Sequence, residues 1–241
     1  MREQTGIVIF DIDDTMYEYL PCHEHALYSV AEKFQNLYNI DKKEFIKLYK
    51  IAREELKSQK LRGGSAHSRF LYIQRLLEIM GLGTRPSLVL DLEQSYWTFF
   101  ISKMKPRKGL LPLFEFFKSN NYGLGVLTDL TSNIQFRKLI HLGLDSNIDF
   151  IVTSEETGVD KPDDGNFHLI MKKFKIDSSS QIFMIGDDLV KDIEPAKRLY
   201  NAKTFLLKNS DNAKKINESV DHLFRDFEEL KEIFRKNYHK Q

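Results

Sequence analysis

The sequence predicts an α/β protein with a doubly wound, parallel-sheet core, interrupted after its first strand by an all-helical insertion. Three observations carry that expectation. From residue 109 onward, short apolar runs alternate with segments of helical period; a run of the same character, Ile7 to Phe10, stands alone near the start; residues 24–104 between them repeat at helical spacing without a convincing strand. Short apolar runs separated by helices mark parallel strands covered on both faces.

In chain order, "IVIF" is the opening strand. Leu27, Val30, Phe34 and Leu37 then recur at spacings of three and four, as do Phe45, Tyr49, Ala52 and Leu56, then Phe70, Ile73, Leu77 and Met80. "GLGTRP" at 81–86 breaks the pattern before Leu88, Leu92, Tyr96 and Phe99 resume it, so four helices are expected. "LLPLFEFFKSNN" reads as helix, "GLGVLT" as strand, "SNIQFRKLIHLG" as helix, "DFIVTS" as strand, "NFHLIMKKF" as helix, "QIFMIG" as strand, "DIEPAKRLYN" as helix and "KTFLL" as strand. The tail "FRDFEELKEIFRKNYHKQ" carries an apolar stripe at Phe227, Leu230 and Phe234, which predicts a closing helix packed on the core. The expected units are a discontinuous core, residues 1–16 and 107–241, and a helical unit, residues 17–106.

With 241 residues, 41% hydrophobic and 29% charged, the chain suits one large domain with an insertion and is too apolar for a disordered protein. The net charge of +1, from 36 basic and 35 acidic side chains, argues against a nucleic-acid polymer or an anionic membrane as partner. Cys22 is the only cysteine, so an internal disulfide and a cysteine-built zinc site are excluded. "MREQTG" precedes an apolar run too short for a signal segment or a membrane span, and a cytoplasmic location is expected. The sequence sets no expectation for oligomeric state.

"FDIDDT" places three acids within four positions at the end of an apolar strand. Like charges at ~4 Å repel by on the order of 4 kcal/mol at an effective dielectric near 20, so something must offset them. In an open parallel sheet, ligands bind beyond the carboxyl ends of the strands. Asp11, Asp13 and Thr15 follow the first strand; Thr128 and Asp129 follow "GLGVL"; Lys161 follows "DFIVTS"; Asp187, Asp188 and Asp192 follow "QIFMIG". Residues two apart on a strand share a face, so Asp11 and Asp13 are expected at one site with Asp14 turned aside. Carboxylates from the first and fourth strands make an oxygen-rich set suited to Mg²⁺, with Lys161 a second positive charge and Thr128 a hydroxyl donor. Such a set fits a phosphate monoester: a carboxylate attacks phosphorus, a second acid protonates the leaving oxygen, and cations hold the transferring group.

With these motifs in this order, the chain resembles the haloacid dehalogenase-like (HAD) superfamily in its phosphatase branch. "DIDDT" matches the first motif, "VLTD" resembles the second, "KP" at 161–162 the third and "GDDLVKD" the fourth. The resemblance implies a Rossmann-like HAD core with a helical cap over 17–106, and a Mg²⁺-dependent phosphatase acting on a small phosphorylated metabolite through an aspartyl-phosphate. It makes Asp11 the nucleophile and a metal ligand, Asp13 the general acid/base and a ligand through its carbonyl, and Asp187 the further ligand. Thr128 and the backbone N–H of Asp129 would hold the phosphoryl group, and Lys161 would bridge Asp11 and the phosphate. Asp192 would steady Lys161 or a metal-bound water, and Asp188 is either a supporting group or a helix N-terminal acid.

Asp129 stands where related sequences often carry Asn. Pointing toward the turn "LTSN" it would leave catalysis unaffected; pointing inward it would tune the pocket or reduce activity. A phosphomutase shares all four motifs and is the nearest alternative. A metal-independent haloacid dehalogenase has no need of Asp13, and a phospho-acceptor module carries its acceptor on a later strand. Substrate choice is expected to lie in the cap, at Tyr17, His23 and the segment "RGGSAHSRF" with Arg62, Ser65, His67 and Arg69. That segment reads equally as a solvated glycine-rich connection with Ser65 as helix cap, and His23 as a packing residue.

Overall fold

The computed structural model describes residues 5–59, 61–176, 180–208 and 216–238. Residues 1–4, 177–179, 209–215 and 239–241 of the expected core lie outside the described residues, as does residue 60 of the insertion.

A parallel sheet of six strands forms the core, in the order β3-β2-β1-β4-β5-β6. Its strands are β1 (Ile7–Phe10), β2 (Gly123–Thr128), β3 (Phe150–Thr153), β4 (Ile182–Gly186), β5 (Lys203–Leu207) and β6 (His222–Phe224). Strand β1 lies in the middle, pairing with β2 from Ile7↔Gly123 and with β4 from Ile7↔Ile182. All residues of β1, β2 and β4 are buried, which is why they read as unbroken apolar runs. Strand β6 was not expected; at three residues, "HLF" is too short to show a period.

Four helices lie between β1 and β2: α1 (Tyr19–Tyr38), α2 (Lys42–Ser58), α3 (Arg69–Ile79) and α4 (Pro86–Lys103), with a 3₁₀ turn at Gly63–His67. The remaining helices are α5 (Leu110–Ser119), α6 (Ser132–His141), α7 (Ser154–Thr157), α8 (Asp164–Phe174), α9 (Glu194–Tyr200) and α10 (Phe227–Asn237). Two differences from the sequence reading concern helix starts. "DIEPAKRLYN" is not one helix: a π turn, Leu189–Ile193, precedes α9, which begins beside Pro195. Helix α3 is capped by Ser68, whose hydroxyl accepts from the Leu71 N–H at 3.4 Å; Ser65 sits within the 3₁₀ turn.

Side chains alternate across the sheet. Val8 and Phe10 face a large apolar layer that runs through α5 and α10 into the insertion, while Ile7 and Ile9 face α8 and α9. Phe10 stacks on Phe114 at 4.6 Å, and Phe234 of α10 meets Phe117 and Phe205 at 4.7 Å each. Burying each such side chain is worth roughly 1.5–3 kcal/mol, enough to fix α10 as the closing helix. Among the described residues no helix is long and apolar enough to cross a membrane.

The two glycines of the "RGG" segment are not solvated, although Arg62 is exposed. Gly63 and Gly64 are buried against α7, and a Cβ on Gly63 would lie 2.6 Å from the Ser154 carbonyl oxygen, at a φ of +57°. Glycine there lets the turn of the insertion lie directly on the core.

Candidate active site

The strand ends bring the motif residues together. Strand β1 pairs with β4, so Asp11 leaves the sheet beside the "GDD" turn, its N–H donating to the Ile185 carbonyl at 3.0 Å. The Thr15 hydroxyl lies 3.0 Å from Asp11 Oδ2 and 3.0 Å from Asp187 Oδ1, tying the first motif to the fourth. Lys161 Nζ donates to Asp11 Oδ1 and to Asp192 Oδ1, each at 2.6 Å. Gly186 makes room for this: a Cβ there would fall 2.6 Å from Asp192 Cβ. Asp188 caps the π turn, accepting from the N–H groups of Val190 and Lys191 at 2.9 and 3.1 Å, which favours the helix-terminal reading.

Asp13 is held from the other side. Lys138 Nζ of α6, completely buried, lies 2.6 Å from its Oδ1, Tyr17 donates its hydroxyl to the same oxygen, and Gln135 Nε2 reaches Oδ2 at 3.3 Å. Gln135 also donates to Thr128 Oγ1 at 2.6 Å, joining the second motif to the first. Asp14 does not turn aside as expected; φ is +64° there, its side chain accepts from the Tyr19 N–H at 2.9 Å, and it lines the same pocket. Asp129 turns to the Lys161 loop rather than to the following turn. Its Oδ1 accepts from the Lys161 N–H at 2.8 Å and its Oδ2 pairs with Lys191 at 3.1 Å, so the extra acid is neutralised in place.

Charge in the deepest part is unbalanced. Asp11, Asp187 and Asp192 bring carboxylate oxygens within 4.8 Å of one another, and Lys161 is the ammonium among them. Burial, then repulsion from Asp192 and Asp14, pushes Asp187 up to about 7. Burial likewise raises Asp11 and Asp192. Burial works against charge on Lys161 too, but Asp11 and Asp192 outweigh it and hold the ammonium charged. For Asp13 the opposite holds: Lys138, with Tyr17 and Gln135, overcomes burial and keeps the carboxyl below its ordinary value. Three clustered acids, Asp11 and Asp192 buried and Asp187 half-buried, around one ammonium could hold a hard divalent cation such as Mg²⁺, which takes few carboxylates and leaves positions for water and phosphate oxygens. Asp11 and Asp187 are the carboxylates it would use, since Asp192 is tied to Lys161 and to the Asp188 N–H at 3.2 Å. His67, Asp129 and Asp160 form a second group within 4.8 Å, but Asp129 is already engaged by Lys161 and Lys191.

A pocket of about 330 Å³ opens above these groups. Asp11, Asp13, Thr128, Asp129, Lys161, Asp187, Asp188 and Asp192 line it from the core. From the insertion it is lined by Tyr19, Arg53, Lys57, His67 and Arg69. Of the expected specificity residues, then, His67 and Arg69 reach it. Tyr17 is buried beneath, on Asp13; His23 bonds the Tyr96 hydroxyl through Nδ1 at 2.6 Å and stacks on Tyr19; Arg62 and Ser65 are exposed and do not line the pocket.

Several lining or supporting residues escaped sequence reasoning. Gln135 and Lys138 are polar side chains inside the apolar stripe of α6, beside Ile134 and Leu139, and that misplacement was a usable signal. Arg53 and Lys57 lie on the polar face of α2, where charge is ordinarily just solvated, and nothing local marks them. Lys191 sits inside the quoted fourth motif and could have been weighed there.

Comparison with known proteins agrees with this geometry. The family model for haloacid dehalogenase-like hydrolases matches residues 5–199. A ribulose-1,5-bisphosphate 5-phosphatase of Halopiger xanaduensis is 35% identical over 191 residues, covering 78% of this chain and 79% of the relative. A glyceraldehyde 3-phosphate phosphatase of Methanocaldococcus jannaschii is 26% identical over 230 residues, covering 95% and 96%. Among solved structures, a magnesium-bound HAD-hydrolase of Bacillus subtilis aligns over 97% of this chain and 100% of its own with TM-score 0.68 at 23% identity. A 2-haloacid dehalogenase of Pseudomonas syringae aligns over 96% and 98% with TM-score 0.73 at 20% identity, and both show the shared fold. Motif order, sheet topology and family match converge, and the chain belongs to the haloacid dehalogenase-like hydrolase family.

Proposed function

We propose that the protein is a Mg²⁺-dependent phosphatase that hydrolyses a small phosphorylated sugar through an aspartyl-phosphate on Asp11. One observation carries the reading: Asp11 lies between Lys161, at 2.6 Å, and Thr15, which links it to Asp187, at the floor of an open pocket. The two relatives described above, named for a pentose bisphosphate and a triose phosphate, support the sugar phosphate class.

Bound Mg²⁺ would supply positive charge to the phosphoryl oxygens and screen the attacking carboxylate from them. Asp11 then bonds to phosphorus as the sugar oxygen departs. That oxygen takes a proton through Asp13, supplied by the Lys138 ammonium that donates to Asp13 at 2.6 Å. Water attacks the phosphorus of the acyl phosphate, returns its proton to the pair, and releases inorganic phosphate and Asp11. Thr128, steadied by Gln135, and Lys161 hold the phosphoryl oxygens throughout. Residues 17–106 serve as the cap, closing the pocket from above and excluding water.

The test is hydrolysis of a generic aryl phosphate. Turnover should require Mg²⁺, and Asp11→Asn, which conserves shape and removes the nucleophile, should abolish it. Near-normal turnover by that variant removes Asp11 from the role.

A further inference from the structure

Charge in the pocket is segregated by origin. Every carboxylate that lines it comes from the strand ends of the core, whereas the helical insertion contributes Arg53, Lys57, His67 and Arg69 and no acid. The core's own cations are engaged: Lys161 with Asp11 and Asp192, and Lys191 with Asp129. Among the described residues, Arg53, Lys57 and Arg69 pair with no carboxylate.

Arg69 is the most telling of the three. It is 7% exposed, donates to the His67 carbonyl at 2.6 Å and to the Tyr19 hydroxyl, and its Nε is buried without an acceptor. Its guanidinium lies 5.1 Å from the Trp97 ring and 5.5 Å from the Tyr96 ring, contacts that orient a cation but supply no opposite charge. Taking a charge out of water without a counter-ion is expensive, and such a group is retained where an anion arrives to complete it. Lys57 is held below its ordinary value by partial burial and then by Arg53, Lys191 and Arg69, the signature of cations gathered without an anion.

Resting on the phosphatase reading above, we propose that Arg53, Lys57 and Arg69 form a second anion subsite, so that the substrate is a sugar carrying two phosphates. One phosphate is cleaved at Asp11 and the other is held by α2 and α3 of the insertion. Two guanidinium forks and an ammonium exceed what a carboxylate needs and match the three oxygens of a phosphate. The pocket, about 330 Å³, falls at the lower end of the range for small-molecule sites and suits a sugar-sized ligand rather than a polymer.

Steady-state kinetics on ribulose 1,5-bisphosphate, ribulose 5-phosphate, 3-phosphoglycerate and an aryl phosphate test this. Wild-type kcat/KM should be at least tenfold higher for the bisphosphate than for the monophosphate. Arg53→Gln and Lys57→Gln, both at exposed positions and so safe for folding, should raise KM for the bisphosphate at least tenfold more than KM for the aryl phosphate. Equal kcat/KM for the two pentose phosphates, equal losses on both substrates, or preference for the phosphate–carboxylate compound overturns the second subsite. If no substrate is turned over, the phosphatase reading has failed separately. Calorimetric binding of the same compounds to Asp11→Asn, with and without Arg53→Gln, then decides the subsite: tighter bisphosphate binding lost on Arg53→Gln supports it, and indifference overturns it.

Discussion

Lys161 concentrates the electrostatics of the site in one side chain, since it is 5% exposed and bonds two carboxylates that are themselves buried. Lys161→Ala should reduce kcat by about 10²–10³, the scale of a lost transition-state donor, and lower stability by about 3–5 kcal/mol in urea titrations because uncompensated acids remain. A loss under tenfold counts against its placement. Gly186→Ala gives a subtler test: the new methyl pushes Asp192 off Lys161, so turnover should drop at least tenfold while the fold, followed by circular dichroism, persists. At this scale the motif acids were legible because each group lies within a few residues of one strand end. Gln135 and Lys138 were marked only as polar groups in an apolar stripe, and their partner was not legible, because their contacts to Asp13 span 122 and 125 residues and only the fold brings them together.

At the scale of elements, the insertion is joined internally by polar ties that its apolar periodicity did not reveal. His23 of α1 bonds Tyr96 of α4, and burial, then Arg69 and Arg53, lowers its pKa to about 4 from an ordinary 6.5. The folded protein therefore resists a proton that the unfolded chain accepts, so this contribution is intact above pH 6.5 and declines as pH falls toward 4. Stability should decrease by about 3 kcal/mol across that window, and His23→Gln should flatten the slope in denaturant titrations at several pH values. A slope unchanged in the variant assigns the pH response elsewhere. The four helices were legible from their stripes, but the use of the α2 polar face was not, because an exposed lysine has the same local pattern whether it meets solvent or substrate. The π turn before α9 was hidden for a different reason: its one-residue excess leaves the apolar spacing nearly helical.

At the scale of the whole molecule, the parallel sheet follows from alternating strand and helix, while β6 adds a short edge that no pattern could announce. With a divalent cation at the acid-rich floor, as proposed, fold and cation would be interdependent. Saturating Mg²⁺, at ~100 times its dissociation constant, should stabilise the folded state by about 2.7 kcal/mol and raise Tm by several degrees, because it binds the assembled site and not the unfolded chain. Asp187→Asn should lose both that shift and turnover. A wild-type Tm indifferent to Mg²⁺ would argue against a cation at this position.

The central place of β1 also constrains how the chain is made. Residues 7–10 emerge from the ribosome before the other strands of the sheet, yet their second neighbour is residues 182–185. At ~5–20 residues per second the nascent strand waits on the order of ten seconds or more with one flank unpaired. The helices between need only near neighbours and can condense during that interval, before the sheet is complete.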